Sequence, residues 1–328
     1  MTVIISVKKL SKEFDIPVEK KSGVVATFLR SHRKFRALDH VSFEVEEGEI
    51  LGYIGPNGGG KSTTIKLLTG ILTPTTGEAH VLEFVPWKQR RDYTPNIGVV
   101  FGQKSLLNWD VAPVESFRLY KEIYGMTTHD YEERLRYLSH IFGIEEFMFT
   151  PTRKLSLGQR MRCELVAALL HKPKILFLDE PTIGLDAIAK QKMRDAIKDV
   201  NSREKTTIIL TTHDMNDIEE LASRIIILDR GKIIYTGNLE NLKKTYAQDH
   251  RIAFEPDRIT DPKRFTSLSR EHHIQQNGKI FTLTFNSKRF PPKKVLDDLF
   301  DCCHLEGFEV FAPSLEEIIR EIYADHAQ

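Results

Sequence analysis

A glycine-rich segment carries the residues best suited to chemistry in this chain. Residues 55–62 read Gly-Pro-Asn-Gly-Gly-Gly-Lys-Ser, which matches G-x-x-x-x-G-K-[ST], between an apolar run and a helical pattern over 61–72. Glycines let successive backbone N–H groups turn inward around phosphate oxygens, and a helix that begins there points its positive end at the same anion. Lys61 supplies a charge for terminal phosphates, and the Ser62 hydroxyl suits Mg²⁺. The segment therefore predicts a phosphate-binding loop.

A pair of acidic residues follows a second apolar run. Residues 175–178 are Ile-Leu-Phe-Leu, and Asp179 and Glu180 come next. A buried strand would bring Asp179 beside the phosphate loop, where its carboxylate can hold Mg²⁺, usually through water. Glu180 can accept a proton from an attacking water molecule. Both acids could instead merely end a surface strand, but after a phosphate loop we favour the catalytic interpretation.

The elements that must position these residues follow from the apolar pattern. Short β-branched runs alternate with helical patterns to about residue 245, which predicts an α/β fold with a largely parallel sheet. Residues 104–170 turn helical and predict a subdomain inserted into this core. From residue 249 the composition changes, with strand-like alternation at 281–285 and a capping box at 314–317. We therefore expect a nucleotide-binding domain over 1–248 and a small α+β domain over 249–328.

Composition excludes several classes of protein. The chain has 328 residues and a formal net charge of +1, which gives no support for a nucleic-acid partner. Its cysteines, Cys163, Cys302 and Cys303, are odd in number and fit a reducing compartment better than a disulfide framework. No run approaches the ~20 apolar residues of a membrane span, and the N-terminal apolar stretch is too short for a signal peptide. We expect a cytosolic chain that reaches a membrane through a partner.

A third motif gives the sequence a resemblance to the ABC ATPase family over residues 3–245. Residues 155–159 read Leu-Ser-Leu-Gly-Gln, which is similar to the family signature L-S-G-G-Q, with Leu157 where the middle glycine usually stands. The resemblance implies a P-loop NTPase core with an inserted helical subdomain. It also implies that Ser156 and the backbone N–H of Gly158 contact the γ-phosphate held by the opposite subunit, at a helix N-terminus.

Three single residues extend the resemblance. Gln103, in Phe101-Gly102-Gln103, resembles the glutamine that senses Mg²⁺ and links the two lobes. Asp186, in Gly184-Leu185-Asp186, resembles the loop that crosses the dimer interface. His213 resembles the switch histidine that bonds the γ-phosphate. A single histidine at a strand end is more often a polar cap, but the ordered set of motifs favours the family role.

Taken together, the motifs and the resemblance imply an ATP hydrolase that uses ATP and Mg²⁺. The predicted catalytic residues are Glu180 and His213, and the predicted metal ligands are Ser62, Gln103 and Asp179. The predicted nucleotide-binding residues are Phe14, Gly55, Pro56, Asn57, Gly58, Gly59, Gly60, Lys61, Ser62, Thr63 and Gln103. The residues predicted to act on the partner subunit are Ser156, Leu157, Gly158 and Gln159, with Asp186 in the dimer loop.

An aromatic ring near the N-terminus is the expected platform for adenine, because the family usually presents one on an early strand turn. Phe14 has the expected position, and Phe35 is the competing candidate. Between them, residues 15–34 form an insert that carries Lys20, Lys21 and Arg30 among apolar residues. Such a stretch could face anionic lipid or could simply pack on its own domain.

The partners follow from the resemblance. One nucleotide-binding domain without membrane spans implies a homodimer or heterodimer on separately encoded membrane permease chains, at the cytoplasmic face of the membrane. Residues 98–103, 155–162 and 181–186 are similar to type-2 exporter ATPases, the group of drug, sodium, lipid and polysaccharide exporters. A polysaccharide exporter is the alternative suggested by the insert. A soluble ABC ATPase that acts on ribosomes or DNA would need tandem domains or coiled-coil insertions, and the sequence has neither.

Overall fold

The computed structural model describes residues 2–17, 32–102 and 104–326, and it divides into two compact units, Met1–Gly237 and Asn238–Gln328. The strands of the first unit are β1 (Val3–Pro17), β2 (His32–Glu46), β3 (Ile50–Ile54), β4 (Thr76–Val81), β5 (Ile97–Phe101), β6 (Ile175–Asp179), β7 (Thr207–Thr211), β8 (Arg224–Asp229) and β9 (Lys232–Asn238). Its helices are α1 (Lys61–Leu68), α2 (Arg90–Tyr93), α3 (Pro113–Ile123), α4 (Thr128–Phe142), α5 (Leu157–Leu169), α6 (Ala187–Glu204) and α7 (Met215–Leu221).

A six-stranded sheet forms the centre of the first unit. Its strand order is β5-β6-β7-β3-β8-β9, and the pairs β5–β6, β6–β7, β7–β3 and β3–β8 are parallel. Every residue of β3 and β7 is buried, as expected for parallel strands covered on both faces. The strands β6, β7 and β3 are neighbours, so their carboxyl ends meet at one edge of the sheet. This edge receives the phosphate loop, the acidic pair and the predicted switch histidine.

A separate antiparallel sheet of order β2-β1-β4 covers part of this core and was not anticipated from the sequence. Strands β1 and β2 pair as far as Pro17 and His32, so the flanks of the predicted insert continue the hairpin. Residues 18–31, which carry most of that insert, lie outside the described residues. The helical interpretation of 104–170 agrees with α3, α4 and α5.

Helix α1 is shorter than the predicted span of 61–72. It ends at Leu68, and Gly70 follows with φ of +71°. A Cβ at that glycine would lie 2.5 Å from the carbonyl oxygen of Pro86. The chain therefore leaves the helix through a left-handed glycine that packs against backbone.

The second unit contains α8 (Leu239–Tyr246), β10 (Asp249–Ile259), α9 (Pro262–Glu271), β11 (His273–Asn277), β12 (Ile280–Asn286), α10 (Pro292–Cys302), β13 (Cys303–Phe311) and α11 (Leu315–His326). Its antiparallel sheet has the order β11-β12-β10-β13. Leu283 and Phe285 of the predicted alternating strand are buried in a cluster with residues of α9 and α10. The predicted capping box is also present, since Ser314 Oγ accepts from the Glu317 amide and Glu317 Oε2 accepts from the Ser314 amide.

The predicted domain boundary after residue 248 is too late. Helix α8 packs against α11 through the buried Leu242, so residues 238–248 belong to the second unit. The sequence places the boundary later because the composition changes only from residue 249. In the part of the chain that the structure describes, no helix combines the length and apolarity that crossing a bilayer requires.

Candidate functional site

The phosphate loop joins the end of β3 to the start of α1. Gly60, the residue before the helix, has φ of +111°, and a Cβ there would lie 2.7 Å from Leu38 Cδ2 and 2.8 Å from the Ala37 carbonyl oxygen. Gly58 also has positive φ, at +79°. Only glycine fits at position 60, because both the backbone conformation and the close approach of β2 exclude a side chain. The glycines of the sequence therefore fix the backbone of this loop in the conformation expected for anion binding.

Lys61 lies at the centre of this loop and is 5 % exposed. Its Nζ donates to the carbonyl oxygens of Gly55 at 2.8 Å and Pro56 at 3.2 Å, which hold the ammonium group over the loop. Burial lowers the pKa of Lys61, while the nearby carboxylates of Glu180 and Asp179 raise it. A buried cation at a helix N-terminus is a site for negatively charged phosphate.

Asp179 ends β6 beside the same loop. Its Oδ1 accepts hydrogen bonds from Ser62 Oγ at 3.2 Å and from Thr211 Oγ1 at 2.7 Å. The structure therefore brings two oxygen side chains, the Ser62 hydroxyl and the Asp179 carboxylate, to the start of α1. Hard oxygen donors of this kind are the ligands that Mg²⁺ prefers.

Glu180 turns sharply out of the sheet. Its φ is +58°, a left-handed conformation that costs a residue with a side chain about 1 kcal/mol or more. The Glu180 amide donates to the Thr211 carbonyl oxygen at 3.0 Å and to Thr211 Oγ1 at 3.1 Å, which stabilises the turn. Because of this turn Asp179 and Glu180 can face different partners although they are adjacent in sequence.

His213 is the partner of Glu180. Its Nε2 lies 2.6 Å from Glu180 Oε1, and both side chains remain partly open to solvent. His213 follows β7, the neighbour of β6, so the parallel register brings the two residues together. The predicted catalytic pair is therefore in direct contact at the edge of the phosphate loop.

The predicted signature residues occupy the start of α5. Ser156 caps the helix, its Oγ accepting from the Gln159 amide at 3.2 Å, while Gln159 Oε1 accepts from the Ser156 amide at 2.9 Å. Leu157 is the first helical residue and is not among the positive-φ residues, so a glycine is not needed there. A Cβ at Gly184 would lie 3.0 Å from Leu157 Cδ2. The signature segment thus packs against the predicted dimer loop, in which Asp186 caps α6.

The two candidates for an adenine platform are paired with each other. Phe14 on β1 and Phe35 on β2 are direct cross-strand neighbours, so their side chains project from the same face of the sheet. Lys12 Nζ lies 5.2 Å from the centre of the Phe14 ring. Two residues after Phe35, the Ala37 carbonyl approaches Gly60 of the phosphate loop. The aromatic pair and the phosphate loop are therefore linked through β2.

Comparison with known proteins places these motifs in a family. Residues 38–183 match the family described as ABC transporter. The chain is 33 % identical over 207 residues to the ABC transporter ATP-binding protein NatA of Bacillus subtilis (strain 168), which covers 63 % of this chain and 84 % of NatA. It is 36 % identical over 219 residues to the probable multidrug ABC transporter ATP-binding protein YbhF of Escherichia coli (strain K12). That match covers 66 % of this chain but only 37 % of YbhF, so the chain spans little more than a third of that relative's length.

A solved structure agrees with these matches. The dimeric structure of MJ0796, a bacterial ABC transporter cassette, is 26 % identical, with a TM-score of 0.61, and the match covers 72 % of this chain and 98 % of the cassette. The chain belongs to the ABC transporter ATP-binding family. The predictions of an ABC-type ATPase and of a P-loop NTPase core are therefore confirmed.

Within this ABC cassette, Gln103 is the one predicted site residue that lies outside the described residues. Sequence reasoning also missed residues that support the site. Thr211 Oγ1 bonds both Asp179 and the Glu180 amide, and Asp217 accepts from threonines on two site loops. No short-range pattern identifies such residues, because most of their partners are 31 to 35 positions away in sequence. The available signal was the residue types alone, threonine at a strand end and an acid on the same helix as the apolar Ile218 and Leu221.

Proposed function

We propose that this chain binds and hydrolyses ATP as one subunit of a dimer that drives a separately encoded membrane permease, in the direction of export. The observation that supports the hydrolytic part is the contact between Glu180 Oε1 and His213 Nε2, next to a buried lysine and an oxygen-donor pair. We assign the chain to the cytoplasmic face of the membrane, where the permease would hold it.

The chemistry of the proposal needs a base, a phosphate clamp and an orienting group. Water attacks the γ-phosphorus, the bond to the β-phosphate oxygen breaks, and the water proton passes to the Glu180 carboxylate. His213 contacts Oε1, so we assign Oε2 as the oxygen that accepts the proton. Lys61 and the loop N–H groups hold the phosphate oxygens while charge moves to the leaving group.

The residues fit a bound Mg²⁺ ion. Ser62 Oγ and Asp179 Oδ1, 3.2 Å apart, would hold it, and Thr211 would orient the carboxylate by its own hydrogen bond. When bound, Mg²⁺ supplies charge neutralisation at the β- and γ-phosphate oxygens.

Glu180→Gln tests the hydrolytic role. The amide keeps the shape and the neighbour of Glu180 but cannot take a proton, so hydrolysis should slow by about 10²–10⁴-fold while nucleotide binding persists. The variant should therefore accumulate as an ATP-bound dimer, measurable by steady-state turnover and by size-exclusion chromatography with ATP. Glu122→Gln, which removes a carboxylate from an exposed helix surface, is the matched control. Near-normal turnover in Glu180→Gln would reject the assignment.

Mixing two inactive variants tests the shared site. If Ser156 serves the partner's nucleotide, a Ser156→Arg chain and a Lys61→Ala chain each form inactive homodimers. A mixed dimer contains one intact composite site, because both changes fall on the other site. Mixing equal amounts should therefore restore up to about a quarter of wild-type turnover. If each chain built its whole site alone, mixing would restore nothing.

The helical subdomain offers a surface for the permease. A cavity of about 220 Å³ lies between β5 and helices α3 and α5, and its lining includes Ile71, Arg90, Leu106 and Tyr120. Near it on α3, Leu119 and Ile123 are four positions apart and are 59 % and 62 % exposed. We propose that a short cytoplasmic helix of the permease binds here. Transport of substrate into inverted vesicles, driven by ATP and lost in Glu180→Gln, would support export, and uptake in the opposite sense would reject that direction.

A further inference from the structure

A buried polar network lies behind the proposed catalytic pair. Asp217, on α7, has no exposed surface, and its carboxylate accepts three hydrogen bonds. Its Oδ2 accepts from Thr182 Oγ1 at 2.6 Å and from Thr212 Oγ1 at 3.0 Å, and its Oδ1 accepts from Arg194 Nη1 at 2.9 Å. Thr182 and Thr212 are themselves buried. These three donors hold the buried carboxylate in one position.

The donors belong to the segments that carry the proposed catalytic residues. Thr182 follows Glu180 by two positions, and Thr212 directly precedes His213. Arg194 lies on α6, the helix that Asp186 caps. One carboxylate therefore bonds the segment after the general base, the segment before the switch histidine, and the helix of the dimer loop.

A second contact joins the same segments at the surface. Nζ of Lys190, on α6, lies 2.6 Å from Oδ2 of Asp214, the residue directly after His213. This pair is more open to solvent than the Asp217 network, so it should contribute less to stability. The buried contacts around Asp217 are the ones that fix how far the two segments stand apart.

We propose that Asp217 is a positioning residue for hydrolysis, which holds Glu180 and His213 in register through the hydroxyls of Thr182 and Thr212. The inference rests on the proposed function. Hydrogen bonds to a charged group are worth more than neutral ones, and removing one partner leaves the carboxylate short of a donor in a buried site. The loops can then relax, and the 2.6 Å contact between Glu180 and His213 is the geometry that should be lost. Nucleotide affinity should change little, because Lys61 and the phosphate loop are not part of the network.

Single-atom changes at the two threonines test this role. Thr182→Val and Thr212→Val keep the side-chain shape but remove the hydroxyl, and kcat should fall about 10-fold or more while KM for ATP changes less than about 2-fold. Thr182→Ser and Thr212→Ser restore the hydroxyl and should return kcat to near the wild-type value. Asp217→Asn should lower kcat in the same way if it folds.

The matched control is Thr207→Val, at the other end of β7. Thr207 is also fully buried, and its hydroxyl makes one hydrogen bond, from the Gly48 amide at 2.9 Å. It should lower the unfolding midpoint without changing kcat. If Thr182→Val and Thr212→Val behave like this control, or if the serine variants are as slow as the valine variants, the positioning role is wrong.

Wild type and Glu180→Gln are measured alongside to separate the two proposals. If wild type hydrolyses ATP and Glu180→Gln does not, but the valine variants keep wild-type kcat, then only the role of Asp217 fails. If Glu180→Gln hydrolyses ATP like wild type, the proposed function fails, and the positioning role, which depends on Glu180 as the base, fails with it.

Discussion

Replacing either ring of the Phe14–Phe35 pair distinguishes a stacking platform from its structural neighbour. If adenine stacks on Phe14, then Phe14→Ala removes an aromatic–base stack worth about 1–3 kcal/mol, and ATP affinity should fall about 5- to 150-fold. Phe35 is 44 % exposed and pairs directly with Phe14. Its loss should remove only a cross-strand contact that contributes about 0.2–1 kcal/mol to the free energy of unfolding, so ATP affinity should stay near the wild-type value.

Equilibrium titration with ATP and with GTP measures both effects. Stacking contacts the π-face that every base offers, so the two nucleotides should lose affinity alike in Phe14→Ala. Phe14→Tyr keeps the ring and should be nearly silent. Phe149→Ala, which removes a 63 % exposed ring from the helical subdomain, is the control for loss of surface aromatic area. The double variant should not be additive, because the two rings are direct neighbours.

The opposite ranking would refute the assignment. If only Phe35→Ala weakens ATP binding, then Phe35 is the platform, and the prediction chose the wrong strand, β1 instead of β2. If neither variant changes affinity, the hairpin does not contact adenine at all, although β2 lies against the phosphate loop. A large loss for ATP with none for GTP would show recognition of the base edge instead of stacking.

Three further outcomes follow from the structure. Trp109 follows the cavity-lining Leu106 by three positions and is 51 % exposed, with the Arg160 guanidinium over its ring. Trp109→Ala should therefore weaken binding to the proposed permease in pull-down while basal ATPase stays unchanged; loss of folding would show that the ring belongs to the core. Burial lowers the pKa of His171 from its ordinary 6.5 to about 4, so the folded state favours the neutral ring. The stability this gives is complete above pH 6.5 and falls by up to about 3 kcal/mol as the pH drops towards 4; His171→Gln should flatten that loss in urea titrations at each pH, and an unchanged slope would contradict it. A chain that ends after Gly237 should still bind ATP in a titration, because the second unit holds no phosphate motif; a folded but non-binding fragment would place part of the site beyond the boundary.

Local motifs allowed the sequence to predict the centre of the site. The phosphate loop needs glycines and a lysine within eight positions, and a buried strand needs a short apolar run, so both are visible without a structure. The parallel order of the sheet then brings Asp179, Glu180 and His213 to one edge. Leu157 could be judged only from the structure, because helical φ at the first position of α5 removes the need for glycine.

Contacts between distant segments could not be predicted. The antiparallel sheet was not predicted, because its pairing of β1 with β4 joins residues as distant in sequence as Ile5 and Val81. The domain boundary was wrong because the composition changes only from residue 249, and only the packing of α8 on α11 assigns that helix to the second unit. The partners of Asp217 are separated by up to 35 positions, and no local pattern reports such a bond.

Contacts of Leu157 and Asp217 link the two roles that we propose for this chain, binding of the partner's nucleotide and hydrolysis of its own. The signature residues, which we propose read the partner's nucleotide, pack through Leu157 on Gly184. Two residues before that glycine, Thr182 bonds Asp217, which also bonds Thr212 beside His213. A leucine at position 157 therefore adds side-chain contact where the usual glycine would leave none. In the proposed dimer, this chain's signature segment contacts the phosphate of the partner's nucleotide. A movement of that segment would displace residues 182–184, the loop that positions this chain's own Glu180. Coupling of this kind needs no contact between the two nucleotides, only a packed loop with few alternative arrangements.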